Sequence, residues 1–175
     1  MKVKATVHGA ISLVNAIATG KGATLGISTK AESIVDVTSG TGITLTSNNR
    51  TISSRLIDNV VKKIISKNEL SKNKVKINIE TNIPVGYGLK SSSAISTSVA
   101  LACSKIFQPN LTDSEILLAG VDASLETKVS LTGAYDDACA CYYGGFNVTD
   151  NYNKKLILRK VAPCLLYTSP SPRDS

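Results

Sequence analysis

Residues 83–94 read IPVGYGLKSSSA, and their flanks decide what they are. Upstream, Val75, Ile77 and Ile79 alternate with polar residues, the period of a strand; downstream, a small and apolar run to Phe107 has the character of a helix. A strand, a glycine loop and a helix in that order make a phosphate-binding arrangement. Gly86 and Gly88 let the backbone take positive φ and approach a ligand, while Ser91, Ser92 and Ser93 put hydroxyls and free backbone N–H groups at the helix start. Lys90 adds a positive charge beside them. A serine-rich capping loop with no ligand is the alternative.

The loop is not the common P-loop, because Lys90 follows Gly88 by two residues and the Gly-x4-Gly-Lys-Ser/Thr spacing is missing. It resembles the P-x-x-x-G-L-x-S-S motif of the GHMP kinases, with Pro84, Gly88, Leu89, Ser91 and Ser92 in every fixed place. The resemblance implies an α+β fold, a GHMP kinase N-terminal domain of two layers similar to the second domain of the fifth small-subunit ribosomal protein. It also implies that Pro84, Val85, Gly86, Tyr87, Gly88, Leu89, Lys90, Ser91, Ser92, Ser93 and Ala94 form the binding loop for ATP.

The 175 residues, 42% hydrophobic, suit one globular domain with a core and the start of a second. No run reaches transmembrane length, and the N-terminus alternates Val3, Ala5 and Val7 without the apolar stretch of a signal peptide. The four cysteines form no CxxC pair and fit reduced thiols, so a cytoplasmic protein is expected. A net charge of +7 raises the question of a nucleic-acid partner. Six of the lysines, however, gather around one helix and its following turn (Lys62, Lys63, Lys67, Lys72, Lys74, Lys76), and aromatics make up only 5% of the chain. A solvated basic face is the better reading.

Residues 164–174 read CLLYTSPSPRD, which matches, codon by codon, the translation of a transposon end used in sequencing libraries. They are set aside as a non-native tail, 164–175, behind a kinase domain spanning 1–163. The natural chain is expected to continue, with a C-terminal ferredoxin-like domain mostly missing here and the 175 residues inactive by themselves.

In chain order, residues 3–7 read as a strand that leads into a glycine-punctuated region with Gly9, Gly20, Gly22 and Gly26, a composition suited to backbone packed close to something. Ala10 stands where several GHMP kinases carry a lysine after their first glycine. His8, the lone histidine at a strand end, reads as structural. Residues 33–38 and 42–46 read as strands paired through a turn at Ser39-Gly40. Ile52, Leu56, Val60 and Ile64, with Ile57, Val61 and Ile65, form the apolar stripe of a helix opposite Arg55, Lys62 and Lys63. Thr112 with Glu115 is a capping box, opening a helix that reaches Glu126. The segment AYDDACACYY looks helical, Gly144-Gly145 starts a strand, and residues 156–158 read as another.

Glu126, Asp136 and Asp137 lie in a small and apolar context, where a carboxylate needs a compensating partner. A kinase needs two such groups, one to help hold Mg²⁺ against ATP and one to position or deprotonate the attacking alcohol. In mevalonate-type GHMP kinases the metal Glu precedes the catalytic Asp by eleven residues, and that Asp precedes a Gly-Gly pair by seven. The intervals from Glu126 to Asp137 and from Asp137 to Gly144 are the same. The resemblance therefore assigns Asp137 as the catalytic residue and Ser92 with Glu126 as the Mg²⁺ ligands. Helix capping by Asp136 and Asp137, with Glu126 a surface residue, is the alternative.

The segment GVDASLETKVSLTGAYDDACACYYGG, with GLKSSSA, resembles the archaeal-type shikimate kinase branch of this superfamily, and the likeness covers nearly all of residues 1–160. It implies ATP-dependent phosphorylation of the shikimate 3-hydroxyl in the pathway to chorismate and aromatic amino acids, with no nucleic-acid or membrane partner. A homoserine or mevalonate type of GHMP kinase is the nearest rival, and an RNA-binding module on the same fold is the rival from another class. Two carboxylates beside the phosphate loop speak against the latter.

Overall fold

The computed structural model describes residues 1–49, 51–130 and 132–161, so the tail at 164–175 lies outside the described residues. Six strands and five helices follow one another as β1 (Lys2–Val14), β2 (Lys21–Ser39), β3 (Ile43–Ser47), α1 (Ser54–Ile64), α2 (Lys67–Leu70), β4 (Asn73–Thr81), α3 (Ser91–Phe107), α4 (Asp113–Glu126), α5 (Tyr135–Tyr143), β5 (Phe146–Asp150) and β6 (Lys155–Lys160). The expected α+β class is what forms.

The 19-residue β2 is the spine. β1 lies antiparallel along its length, while its other edge is shared: β4 pairs with residues 31–39 and β5 with residues 21–25. Between those two partners the sheet is broken by a bulge, because His8 faces Lys30 and the next residue, Gly9, faces Ile27. Bulges re-aim the chain and mark sites where something else packs. Here it is the glycine loop, whose Leu89 carbonyl accepts the Ala10 N–H at 3.2 Å.

Alternation sorts the sheet into two faces. Val75, Ile77 and Ile79 of β4 point inward and are buried, while Lys74, Lys76 and Glu80 point to water. The helices cover the inner face. On α1, Leu56, Ile57, Val60, Val61 and Ile64 are all buried, the stripe the spacing predicts, and α1 packs on α3 and α4. α3 lies across β1 and β2, where the Ser33 and Ser98 hydroxyls meet at 2.6 Å and satisfy each other in the core. The thiols of Cys103, Cys139 and Cys141 are free and buried, and desolvation pushes each above its ordinary value.

Two expectations change. The strand at 3–7 extends to Val14, carrying Ser12 toward the start of α5. The pairing of 33–38 with 42–46 through Ser39-Gly40 does not form: β3 runs parallel to β4, which sits between it and β2. A parallel partner needs a crossover, and α1 and α2, which lie between β3 and β4 in the chain, supply it.

Candidate active site

Three of the helices start with a side-chain cap: Ser53 on α1, Ser66 on α2 and Thr112 on α4 each accept from a first-turn N–H. The other two do not. α3 starts from Lys90 and α5 from Ala134, each in the left-handed region (φ 60 and φ 50), and neither residue gives a side-chain cap. Left-handed non-glycine residues are strained by about 1–2 kcal/mol and gather where function fixes the backbone. Both uncapped ends, with their positive dipole ends, border one cleft.

The loop residues Pro84 to Leu89 run over the surface, with Tyr87 and Gly88 exposed and Gly86 and Gly88 at positive φ (86 and 74). Lys90 turns inward, and its Nζ lies 3.3 Å from Asp137 Oδ2. On the other side the Ser12 hydroxyl donates to Asp137 Oδ1, also at 3.3 Å. The glycine loop, the end of β1 and the first turn of α5 thus meet on one carboxylate. Burial pushes the Asp137 carboxyl up, the neighbouring Asp136 charge adds to it, and Lys90 and Ser12 pull the other way, leaving it at about 6. A carboxylate near 6 is poised to take a proton at neutral pH.

The cleft has a volume of about 200 Å³, and Ser12, Asn15, Lys90, Ser130, Thr132 and Asp137 are among its lining. Hydroxyls, an amide and charged groups share this lining with Ala16, Ile17 and Ala134. A second cavity of about 180 Å³ borders the loop from the α1 side, where Ser91 and Ser92 meet Ile52, Leu56, Ile95 and Val129. Glu126 stands apart from the cleft. Its side chain is 56% exposed and accepts from Lys63 Nζ at 2.7 Å, so the structure puts it on α1 and not on Ser92. The sheet glycines behave as their composition suggests: a side chain at Gly9 would strike Thr29, at Gly22 Asp136, and at Gly26 the backbone of Gly144.

The family GHMP kinases N terminal domain matches residues 55–145, just over half of the chain. The chain belongs to the GHMP kinases. A curated relative, the shikimate kinase of Methanobrevibacter smithii, is 38% identical over 177 residues, covering 95% of this chain and 61% of that one. The shikimate kinase of Pyrococcus abyssi is 36% identical over 163 residues, covering 91% and 59%. The chain therefore spans about three fifths of the length of these curated relatives. Among solved structures, the mevalonate kinase of Methanococcus jannaschii superposes with a TM-score of 0.72 at 21% identity, over 93% of this chain and 56% of that one. The galactokinase of Lactococcus lactis superposes with a TM-score of 0.73 at 15% identity, over 95% and 48%. At such identities the structures support the GHMP fold alone.

The Lys90 and Ser12 contacts that join the glycine loop and β1 to Asp137 are not among the sequence expectations. Ser12 lies well beyond the strand expected at 3–7, and nothing in the spacing pairs Lys90 with a carboxylate. Asn15, Ser130 and Thr132 carried no signal in spacing or composition.

Proposed function

We propose that this chain is the ATP-binding part of a shikimate kinase, which transfers the terminal phosphoryl group of ATP to the 3-hydroxyl of shikimate. The observation that carries the reading is the 3.3 Å pair between Lys90 and Asp137, which ties the phosphate loop to a carboxylate of raised proton affinity inside one polar cleft. The substrate comes from the relatives: curated shikimate kinases 33–38% identical to this chain over most of its length.

Asp137 accepts the proton of the acceptor hydroxyl as its oxygen bonds to the terminal phosphorus and the bond to the ADP oxygen breaks. Lys90 keeps Asp137 aimed and holds positive charge where the transferred group passes. The loop from Pro84 to Ala94 offers glycine backbone and the uncapped amides of Ser91, Ser92 and Ser93 to the phosphates. The second cavity, apolar on its Ile52, Leu56 and Ile95 side, has the character to receive a nucleotide base.

Mg²⁺ is the expected companion of ATP. Ser92 and Glu126 fit it in chemistry, since both offer oxygen, the ligand a hard cation takes, and Glu126 ends α4 just ahead of the Val129 that shares a cavity with Ser92. Bound there, the ion would screen the charge of the phosphates. Glu126 would have to leave Lys63 to take part. Ser92→Ala and Glu126→Gln in the full-length protein should each raise the Mg²⁺ requirement and lower kcat, and their effects should not add. Simple additivity in a double-mutant cycle would remove support for a shared site.

A panel of alcohols (shikimate, homoserine, mevalonate, galactose) assayed for ADP release with the full-length protein tests the substrate. Shikimate is expected to exceed the others by at least about a hundredfold in kcat/KM, because a site built for several hydroxyls leaves them unpaired with the wrong ligand. A preference for homoserine or mevalonate overturns the shikimate assignment and leaves the kinase chemistry standing.

A further inference from the structure

Next to Asp137 on the same turn, Asp136 is only 5% exposed, and it is held by Asn151, the residue that follows β5, itself 4% exposed. Asn151 Nδ2 donates to Asp136 Oδ1 at 2.8 Å, and the Asp136 backbone N–H donates back to Asn151 Oδ1 at 3.1 Å. Thr149, the residue before Asp150 on β5, donates its hydroxyl to the same Asn151 Oδ1 at 2.9 Å. Thr24 Oγ1 of β2 donates to Asp136 Oδ2 at 3.5 Å. The Asn151 backbone N–H donates to the Gly20 carbonyl at 2.7 Å, which fixes the turn after β5 to the turn before β2. Gly22 closes the group, because a Cβ there would lie 2.6 Å from Asp136 Oδ2.

We propose that Asn151 and Asp136 form a positioning pair, which clamps the uncapped first turn of α5 to the sheet and thereby aims Asp137 into the cleft. The proposal rests on the reading of Asp137 as the proton acceptor. An amide in place of the Asp136 carboxylate could satisfy most of the same partners, so the charge itself has a second task. It adds to burial in raising the proton affinity of Asp137. Among the described residues, the ionisable groups facing Asp137 are Lys90 from the start of α3, and Asp136 and Cys141 from α5 itself; β1 contributes the Ser12 hydroxyl. Removing the Asp136 charge therefore leaves Lys90 less opposed. The clamp also offsets the strain of Ala134, whose left-handed backbone starts the helix without a side-chain cap.

Two variants of the full-length protein test this. Asp136→Asn keeps the shape and removes the charge; the Asp137 carboxyl, followed by carbon NMR, should then titrate at lower pH by roughly half to one unit, and the acidic limb of the kcat profile should move with it. Asn151→Ala removes the clamp, and kcat should fall by about tenfold or more while KM for ATP stays within about twofold, since the phosphate loop is on another element. An unmoved Asp137 titration in Asp136→Asn overturns the proposal, as does a folded Asn151→Ala with the parent kcat. If Asn151→Ala does not fold, the NMR result on Asp136→Asn decides alone. That titration is independent of the acceptor alcohol, so a failed shikimate assignment and a failed clamp give different results.

Discussion

Asp137→Asn in the full-length protein is expected to lower kcat by at least about 10²–10⁴-fold while nucleotide affinity changes little. The carboxylate meets Lys90 and Ser12 in the polar cleft, and the cavity bordered by Ser91 and Ser92 lies on the other side of the loop. Loss of the proton acceptor should therefore fall on the chemical step and not on binding. Asp136→Asn should cost much less, and the reverse order would move the proton-accepting role to Asp136. In the parent protein, activity should rise as pH passes about 6, where Asp137 gives up its proton. Stability should move the opposite way. A carboxyl whose affinity is raised on folding binds more proton folded than unfolded, so its contribution falls as pH climbs from near 4 to near 6 and is flat beyond. Activity with no acidic limb, together with undiminished stability across that window, would count against the role.

Gly26→Ala is expected to destabilise the fold by about 1–3 kcal/mol and lower Tm by several degrees. Its new Cβ would sit 2.7 Å from Gly144 Cα and 2.9 Å from the Ala140 carbonyl, both backbone atoms that cannot rotate away. The Gly26 N–H also donates to the Gly145 carbonyl at 2.9 Å, so relief by separation breaks a bond between β2 and the turn that ends α5. Urea denaturation gives the measurement, and a midpoint unchanged within error would mean that the α5 turn is softer than its packing indicates.

Most elements were legible because their signals are local. The stripe from Leu56 to Ile64, the Thr112–Glu115 box and the alternation of Val75, Ile77 and Ile79 each fix a period or a cap within a few residues, and each forms where expected. α2 is not legible although Ser66 and Glu69 spell a capping box, because four residues carry no periodicity. Strand pairing was less legible. The Ser39-Gly40 turn suggests a hairpin, yet the strand beside residues 31–39 of β2 is β4, which comes only after α1 and α2 in the chain. In the site, the spacing of Glu126, Asp137 and Gly144 pointed to Asp137. Ser12 meets Asp137 from the other end of the described chain, and Asn151 meets Asp136 across the turn between α5 and β5, so neither left a periodic pattern to read.

The position of β4 also sets an order of events. Chains emerge from their N-terminus, and domains fold as their segments become available. β1 and β2 can zip together early, but β3 has β4 for its neighbour in the sheet and has no ladder to join until residues 73–81 arrive. Until then β2 keeps the edge at residues 31–39 open, and the nascent chain carries an unpaired strand template through the time needed to make the crossover. The exposed Lys74, Lys76 and Glu80 keep the outer face of that edge's eventual partner charged, which limits its apolar surface before it reaches its slot.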